Sequence, residues 1–426
     1  MAFISRYKSA FFVFASIVLL LFVFVRCVNE DAKQTETVAE NNTATSTVFK
    51  TIPYTDFAGS QVCGDCHKNI CSHFDQTAHA ITSQPATASS IKGSFTKGKN
   101  SFMYDANRVV QLEKRADSFY QVYYFKGNEH VRRRFDISVG SGIKGQTYLS
   151  WVKGQLIELP VSYFTQVHQW ANSPGYPLYP TLFNRPATTR CMECHSTFGI
   201  TTTAPMQEPE KWDSTKMILG ITCERCHGPA AQHVAYQKQH PSDTLARFII
   251  NTAKLSRQQN IDLCSLCHSG RLPKTKPSFS FVAGDTLVNY FMIDNSAQSQ
   301  AANIDVHGNQ YGLLAASQCF AKSQTMTCLT CHDAHNNERG NMVSFSQKCA
   351  TCHTTPHKPV AGITQKQMTA NCIDCHMPVQ TSQAINFLLQ GETMPTHALM
   401  RTHYITVYAD ETKKFIENLH RAHNKN

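Results

Sequence analysis

The chain has 426 residues, of which 42% are hydrophobic, and a formal net charge of +10. That is enough apolar material for a core and enough length for two or three ordinary domains. No nucleic-acid-binding module is recognisable, so the basic excess does not by itself point to that partner. The unusual part is the count of seventeen cysteines and twenty histidines.

Residues 1–27 read as an export segment. Arg6 and Lys8 precede an apolar run from Ala10 to Val25, long for a signal peptide and short for a spanning helix. Cys27 ends the run, and residues 28–56 read as a disordered linker, acidic and rich in Thr, Asn and Ala. This order resembles a bacterial lipoprotein with lipid on Cys27, although Arg26 stands where a small residue is preferred. An uncleaved N-terminal anchor and a cleaved signal are the other readings. All three place the chain in the cell envelope, facing the periplasm or the outer surface.

A first module spans residues 57–92 and carries Cys63-Gly-Asp-Cys66-His67. The same Cys-x-x-Cys-His pattern recurs at Cys191, Cys194 and His195; at Cys223, Cys226 and His227; and at Cys264, Cys267 and His268. It appears again at Cys328, Cys331 and His332; at Cys349, Cys352 and His353; and at Cys372, Cys375 and His376. In an exported chain this is the attachment pattern of c-type haem. Each thiol adds to a haem vinyl group, and two intervening residues let both sulfurs reach one porphyrin edge. The histidine then lies under the ring, where it ligates iron from the proximal side. A zinc knuckle, a redox dithiol or a disulfide would explain one cysteine pair, but none requires a histidine directly after every second cysteine. Seven covalently bound haems c are therefore expected. Each ferric haem adds about one positive charge and, with ionised propionates, about two negative ones. The charge of +10 then falls to about +3, so basic residues balance propionates.

The stretch GSQVCGDCHKNICSHFDQTAHA (residues 59–80) sets Phe74 and then Thr77-x-His79-Ala80 behind the first motif. It resembles the opening module of multihaem cytochromes c. That superfamily includes the tetrahaem carriers of ammonia oxidisers and the octahaem hydroxylamine oxidoreductases and tetrathionate reductases. The resemblance covers this module and Cys191–His376, and it implies that His79 is a distal iron ligand.

Between them, residues 93–180 contain no motif and read as a β-rich insert. Ser118–Phe125 and Val131–Val139 form one expected hairpin; Tyr148–Val152 and Gln155–Leu159 form another. Gly140–Gly145 matches G-x-G-x-x-G but leads into a strand, which excludes dinucleotide binding. Arg132–Arg134 reads as a solvated strand or as a propionate partner.

Six motifs crowd into residues 181–404, about one per 31 residues between Cys191 and His376. So little chain cannot wrap each haem separately. Haems should form much of the core, in a mostly α and irregular fold of short helices and loops. Residues 405–426 end in an expected amphipathic helix, Ala409–His423, with Phe415, Ile416 and Leu419 inward.

Local context selects further distal candidates. His233 sits in CERCHGPAAQHV, which resembles the superfamily's CxxCHGPxxxHV element. His335 sits in CLTCHDAH, which resembles CxxCHDPH, and His357 sits at a similar offset in CATCHTTPH. The last two follow their proximal histidines too closely to cap the same iron, so they should reach neighbouring haems. His307, His397 and His403 complete seven candidates, with His73 and His168 in reserve and Met377 and Met394 as the thioether alternative. His420 and His423 read as solvated. Cys71 and Cys319, outside the motifs, read as a disulfide or as free thiols.

Imidazole on both faces leaves no open coordination site, which favours electron transfer between redox partner proteins. The alternative is a multihaem oxidoreductase acting on a small nitrogen or sulfur compound at one open haem. No Cys-x-x-Cys-Lys variant is present.

Overall fold

The computed structural model describes residues 52–423, apart from 179–182, 205–206, 294–303, 356, 359 and 361. The export segment, Cys27 and most of the linker lie outside the described residues, as do the side chains of Leu419, His420 and His423. Among the described residues no helix is long and apolar enough to cross a membrane.

Strand β1 (Ser83–Pro85) precedes an antiparallel meander of β2 (Ser101–Met103), β3 (Arg108–Arg115), β4 (Ser118–Phe125) and β5 (Asn128–Arg134). A seven-stranded sheet then gathers β1 with β6 (Ile137–Val139), β7 (Gly145–Val152), β8 (Gln155–Glu158), β9 (Val161–Phe164), β10 (Gln169–Asn172) and β11 (Arg185–Pro186). Two further antiparallel pairs form: β12 (Ser196–Phe198) with β13 (Ile218–Leu219) between the second and third motifs, and β14 (Val379–Phe387) with β15 (Thr396–Arg401) after the seventh.

The fold is thus β-rich, about 30% helix and 23% strand, which corrects the expectation of a mostly α and irregular chain. Dense motifs do keep most helices short, down to the four residues of Ile373–His376. The strands lie mostly outside the dense motif stretch, in β1–β11 (residues 83–186) and β14–β15, where ladders give backbone N–H and C=O groups their partners; between Cys191 and His376 the described residues hold β12 and β13 alone as strands.

Both hairpins read from the sequence are present. Their turns, Lys126-Gly127 and Lys153-Gly154, have positive φ at both central residues. That conformation matches the twist of the flanking strands. The first hairpin is shorter than expected: β5 ends at Arg134, and Ile137–Val139 joins the other sheet. Phe102, Val110, Leu112 and Phe119 meet Phe135, Tyr148, Leu159 and Trp170 in one buried cluster. Phe135 stacks on Tyr148 with ring centres 4.3 Å apart. A second cluster joins Ile137, Leu149 and Leu156 to Met192, Phe198, Trp212 and Phe279, and so fixes the sheet against the second motif. The C-terminal helix Ala409–His423 forms, with Phe415 and Ile416 half-buried.

Candidate haem-binding sites

Six of the seven motifs lie on or at the end of a short α-helix, such as Thr189–His195, Cys223–His227 and Arg257–His268; the fifth opens on the 3-10 turn Cys328–Thr330. Helical spacing puts cysteines three residues apart on one face, with the histidine one position further round. Buried carboxylates lock several motifs in place. Glu224, between Cys223 and Cys226, accepts from Ala58 N at 2.8 Å, Gly59 N at 2.9 Å and Ala230 N at 2.9 Å. It ties the approach to the first motif to the third. Glu193, inside the second motif, accepts from Phe279 N at 2.7 Å and from Arg190 at 3.3 Å. Asp262, two residues before Cys264, accepts from Leu287 N at 3.0 Å. The sequence reading missed these anchors. Their one local signal is an acid at or beside a Cys-x-x-Cys interior.

A ligating imidazole needs its second nitrogen held by an acceptor, which fixes the tautomer and aims the other nitrogen at the metal. Several histidines are held in this way. Nδ1 donates to Ile250 O from His227 (2.9 Å), to Thr406 O from His376 (2.9 Å) and to Gln310 Oε1 from His268 (3.3 Å). His195 Nδ1 shares a hydrogen bond with Thr82 Oγ1 at 3.0 Å. Among the distal candidates, Nδ1 donates to Arg247 O from His233 (2.8 Å), to Lys358 O from His357 (3.1 Å) and to Ser382 O from His397 (2.8 Å).

Four distal candidates face proximal histidines of other motifs. Ring centres are 6.2 Å apart for His79 and His268, and 6.0 Å for His335 and His227. They are 6.2 Å apart for His403 and His332, and 6.1 Å for His357 and His376. Two imidazoles on opposite sides of one metal, each bonded at about 2 Å with roughly 1 Å more to the ring centre, have centres about 6 Å apart. The gap therefore fits a haem iron. His335 and His357 thus face histidines of motifs other than the one each follows. His79 and His403 are held down to about 4 by burial, with His268 and His332 adding like-charge repulsion in both cases. His307 lies in the electrostatic neighbourhood of His195 and His268, and burial lowers all three imidazoles. His233 and His397 are oriented by their carbonyls but make no ring contact with another imidazole among the described residues; the same holds for His67, His195 and His353. His73 and His168 are exposed, and Met394 is 76% exposed.

The attachment cysteines also meet across motifs. Cys63 is electrostatically coupled to Cys223, Cys194 to Cys267, and Cys264 to Cys328. Cys194 is thereby lowered to about 7, and its partner Cys267 is raised. Cys71 interacts electrostatically with Cys223, and Cys319 with Cys331 and Cys352; both are free thiols, pushed up mainly by burial. Among the described residues no three or more His, Cys, Asp or Glu converge on one point as a protein-only metal site requires.

Comparison with protein families matches residues 181–228, which hold the second and third motifs, to the family "Cytochrome c554 and c-prime". A comparison with curated proteins gave no match. Among solved structures, the outer cell wall cytochrome OcwA has a similar fold at 14% identity. The likeness covers 84% of this chain and 81% of that one, with a TM-score of 0.51. The ammonia-oxidiser carriers and hydroxylamine oxidoreductases named from the sequence are not among these similarities. Together the family match and the shared fold support a multihaem cytochrome c with covalently bound haem.

Proposed function

We propose that the chain is a seven-haem cytochrome c that carries electrons between redox partner proteins in the cell envelope. Four imidazole pairs about 6 Å apart, each linking different motifs, carry this reading. A bound haem supplies a one-electron iron couple. The chain's residues do the rest. Fourteen cysteines hold the porphyrins and seven motif histidines ligate irons. His79, His335, His403 and His357 cap the irons of the fourth, third, fifth and seventh motifs, and His307 caps the second. His233 and His397 serve the first and sixth. Histidine on both faces gives low potentials relative to His/Met ligation.

Electrostatic coupling between cysteines of different motifs points to an order of haems along the electron route. The first motif adjoins the third, and the fourth adjoins both the second and the fifth. Cys264 also senses Cys226, and Cys349 senses Cys372. The fourth haem thereby becomes a junction. Residues 1–27, or a lipid on Cys27, would tether this conduit to a membrane. The outer cell wall location named for OcwA favours the envelope address.

Haem count by mass spectrometry and the pyridine haemochrome tests the reading, with seven expected. EPR of the oxidised protein should show seven low-spin irons. The rival reading is an oxidoreductase, favoured by the three proximal histidines without a facing imidazole. It predicts a high-spin iron that shifts on adding nitrite, hydroxylamine or tetrathionate.

A further inference from the structure

The β14–β15 pairing is broken at one place. Thr381 pairs with Leu399 and Asn386 with His397, so Ser382–Ile385 bulges opposite Ala398 alone. The amides of such a bulge lose their ladder partners. Here a single carboxylate from a distant loop takes them up. Asp305 Oδ2 accepts from Gln383 N and, at 3.1 Å, from Ala384 N. Asp305 Oδ1 accepts from Ser382 Oγ at 2.8 Å, and that hydroxyl accepts in turn from Ile385 N at 2.9 Å.

The same carboxylate reaches two candidate ligands. Oδ1 also accepts from His307 N at 2.8 Å, which closes the turn that presents His307. Ser382, whose side chain Asp305 holds, is fully buried. Its carbonyl accepts from His397 Nδ1 at 2.8 Å and so fixes which ring nitrogen stays free. Ile304 and Val306, flanking Asp305, pack with Leu313, Met400 and Tyr404, which seats the loop against the hairpin. We propose that Asp305 is a positioning residue: it shapes the β14 bulge and, through it and the turn at His307, aims both imidazoles at their irons. This rests on the reading of His307 and His397 as axial ligands. An ordinary loop anchor would satisfy the bulge amides without governing an imidazole on each side of it.

The experiment uses the exported, haem-loaded full chain and compares Asp305→Asn with His307→Ala and His397→Ala. The asparagine cannot accept all four donors. Expected is an unchanged haem count, with one or both irons turning high-spin and taking up carbon monoxide, whereas the wild-type protein takes up none. The new signals should match those of the histidine variants. Adding Asp305→Asn to the double histidine variant should open no further iron. A merely structural role would lower the melting temperature and leave every iron low-spin; that result overturns the proposal. Histidine variants that stay fully low-spin would overturn it too, by removing the ligand reading itself. Should Asp305→Asn fail to accumulate, Ser382→Ala, which deletes one donor, is read against the same two outcomes.

Discussion

Residues 93–180 and the motif-rich stretch after residue 181 stay folded by different means. In the first, strands bury a dense aromatic and aliphatic cluster around Tyr148 and Trp170. In the second, the apolar side chains divide among several clusters: Met192, Phe198, Trp212 and Phe279 pack on the sheet, Leu266, Leu272, Phe281, Leu287 and Phe291 form another, and Ile304, Val306 and Leu313 a third. Order there also comes from carboxylates bonded to backbone amides, and from imidazole pairs facing one another. The first region brings its own core. On the proposed reading, haems complete the core of the second.

The sharpest test of that contrast removes one cofactor. Replacing Cys264 and Cys267 by alanine should lower the haem count by one and open the contacts to Cys328 and Cys194. Because the fourth motif adjoins two others, protease resistance should collapse across residues 181–404 while residues 93–180 survive limited digestion. Equal sensitivity of the two regions would break the comparison.

The converse substitution is Leu112→Ala. Leu112 is fully buried, and such truncations cost about 2–5 kcal/mol. Thermal unfolding should shift accordingly while haem content and the low-spin spectrum hold. A lost haem would mean that the two regions depend on each other more than their cores imply.

Glu224→Gln is a smaller perturbation. The amide keeps one acceptor oxygen for three backbone donors, so a buried N–H is left unsatisfied at a cost of about 1–3 kcal/mol. The first and third motifs should loosen relative to each other. The measurement is a change in the EPR line shapes of those two haems without loss of either.

These contrasts also show what the sequence could disclose. The seven Cys-x-x-Cys-His repeats were legible because each pattern is complete within five residues. The hairpins at Lys126-Gly127 and Lys153-Gly154 were legible for a similar reason, as turn and alternation are local. The β14–β15 hairpin after the last motif was not legible: the bulge at Ser382–Ile385 interrupts the alternation that marks a strand. Nor could spacing reveal that His79 faces His268, since tertiary packing alone joins residues so far apart in the chain. Glu193 and Glu224 were passed over because an acid inside a motif ordinarily reads as solvent-facing, and burial is a property of the fold.

The smallest expected effect concerns Arg132–Arg134 on the edge strand β5. Arg132 lies 3.4 Å from Glu129 and over the Tyr120 ring, and Arg134 lies 2.6 Å from Asp136. Arg132 and Arg134 are exposed and paired within their own region, as charges that protect a sheet edge often are. Replacing both Arg132 and Arg134 by serine should leave haem content, visible spectrum and melting temperature unchanged, because the β4–β5 ladder and the buried cluster beneath it remain. If the run instead held haem propionates, removing two guanidinium groups would destabilise the oxidised and reduced states unequally and shift a reduction potential. A redox titration of the double variant that superimposes on wild type assigns the arginines to the self-sufficient region; a displaced curve moves them to the cofactor-dependent one.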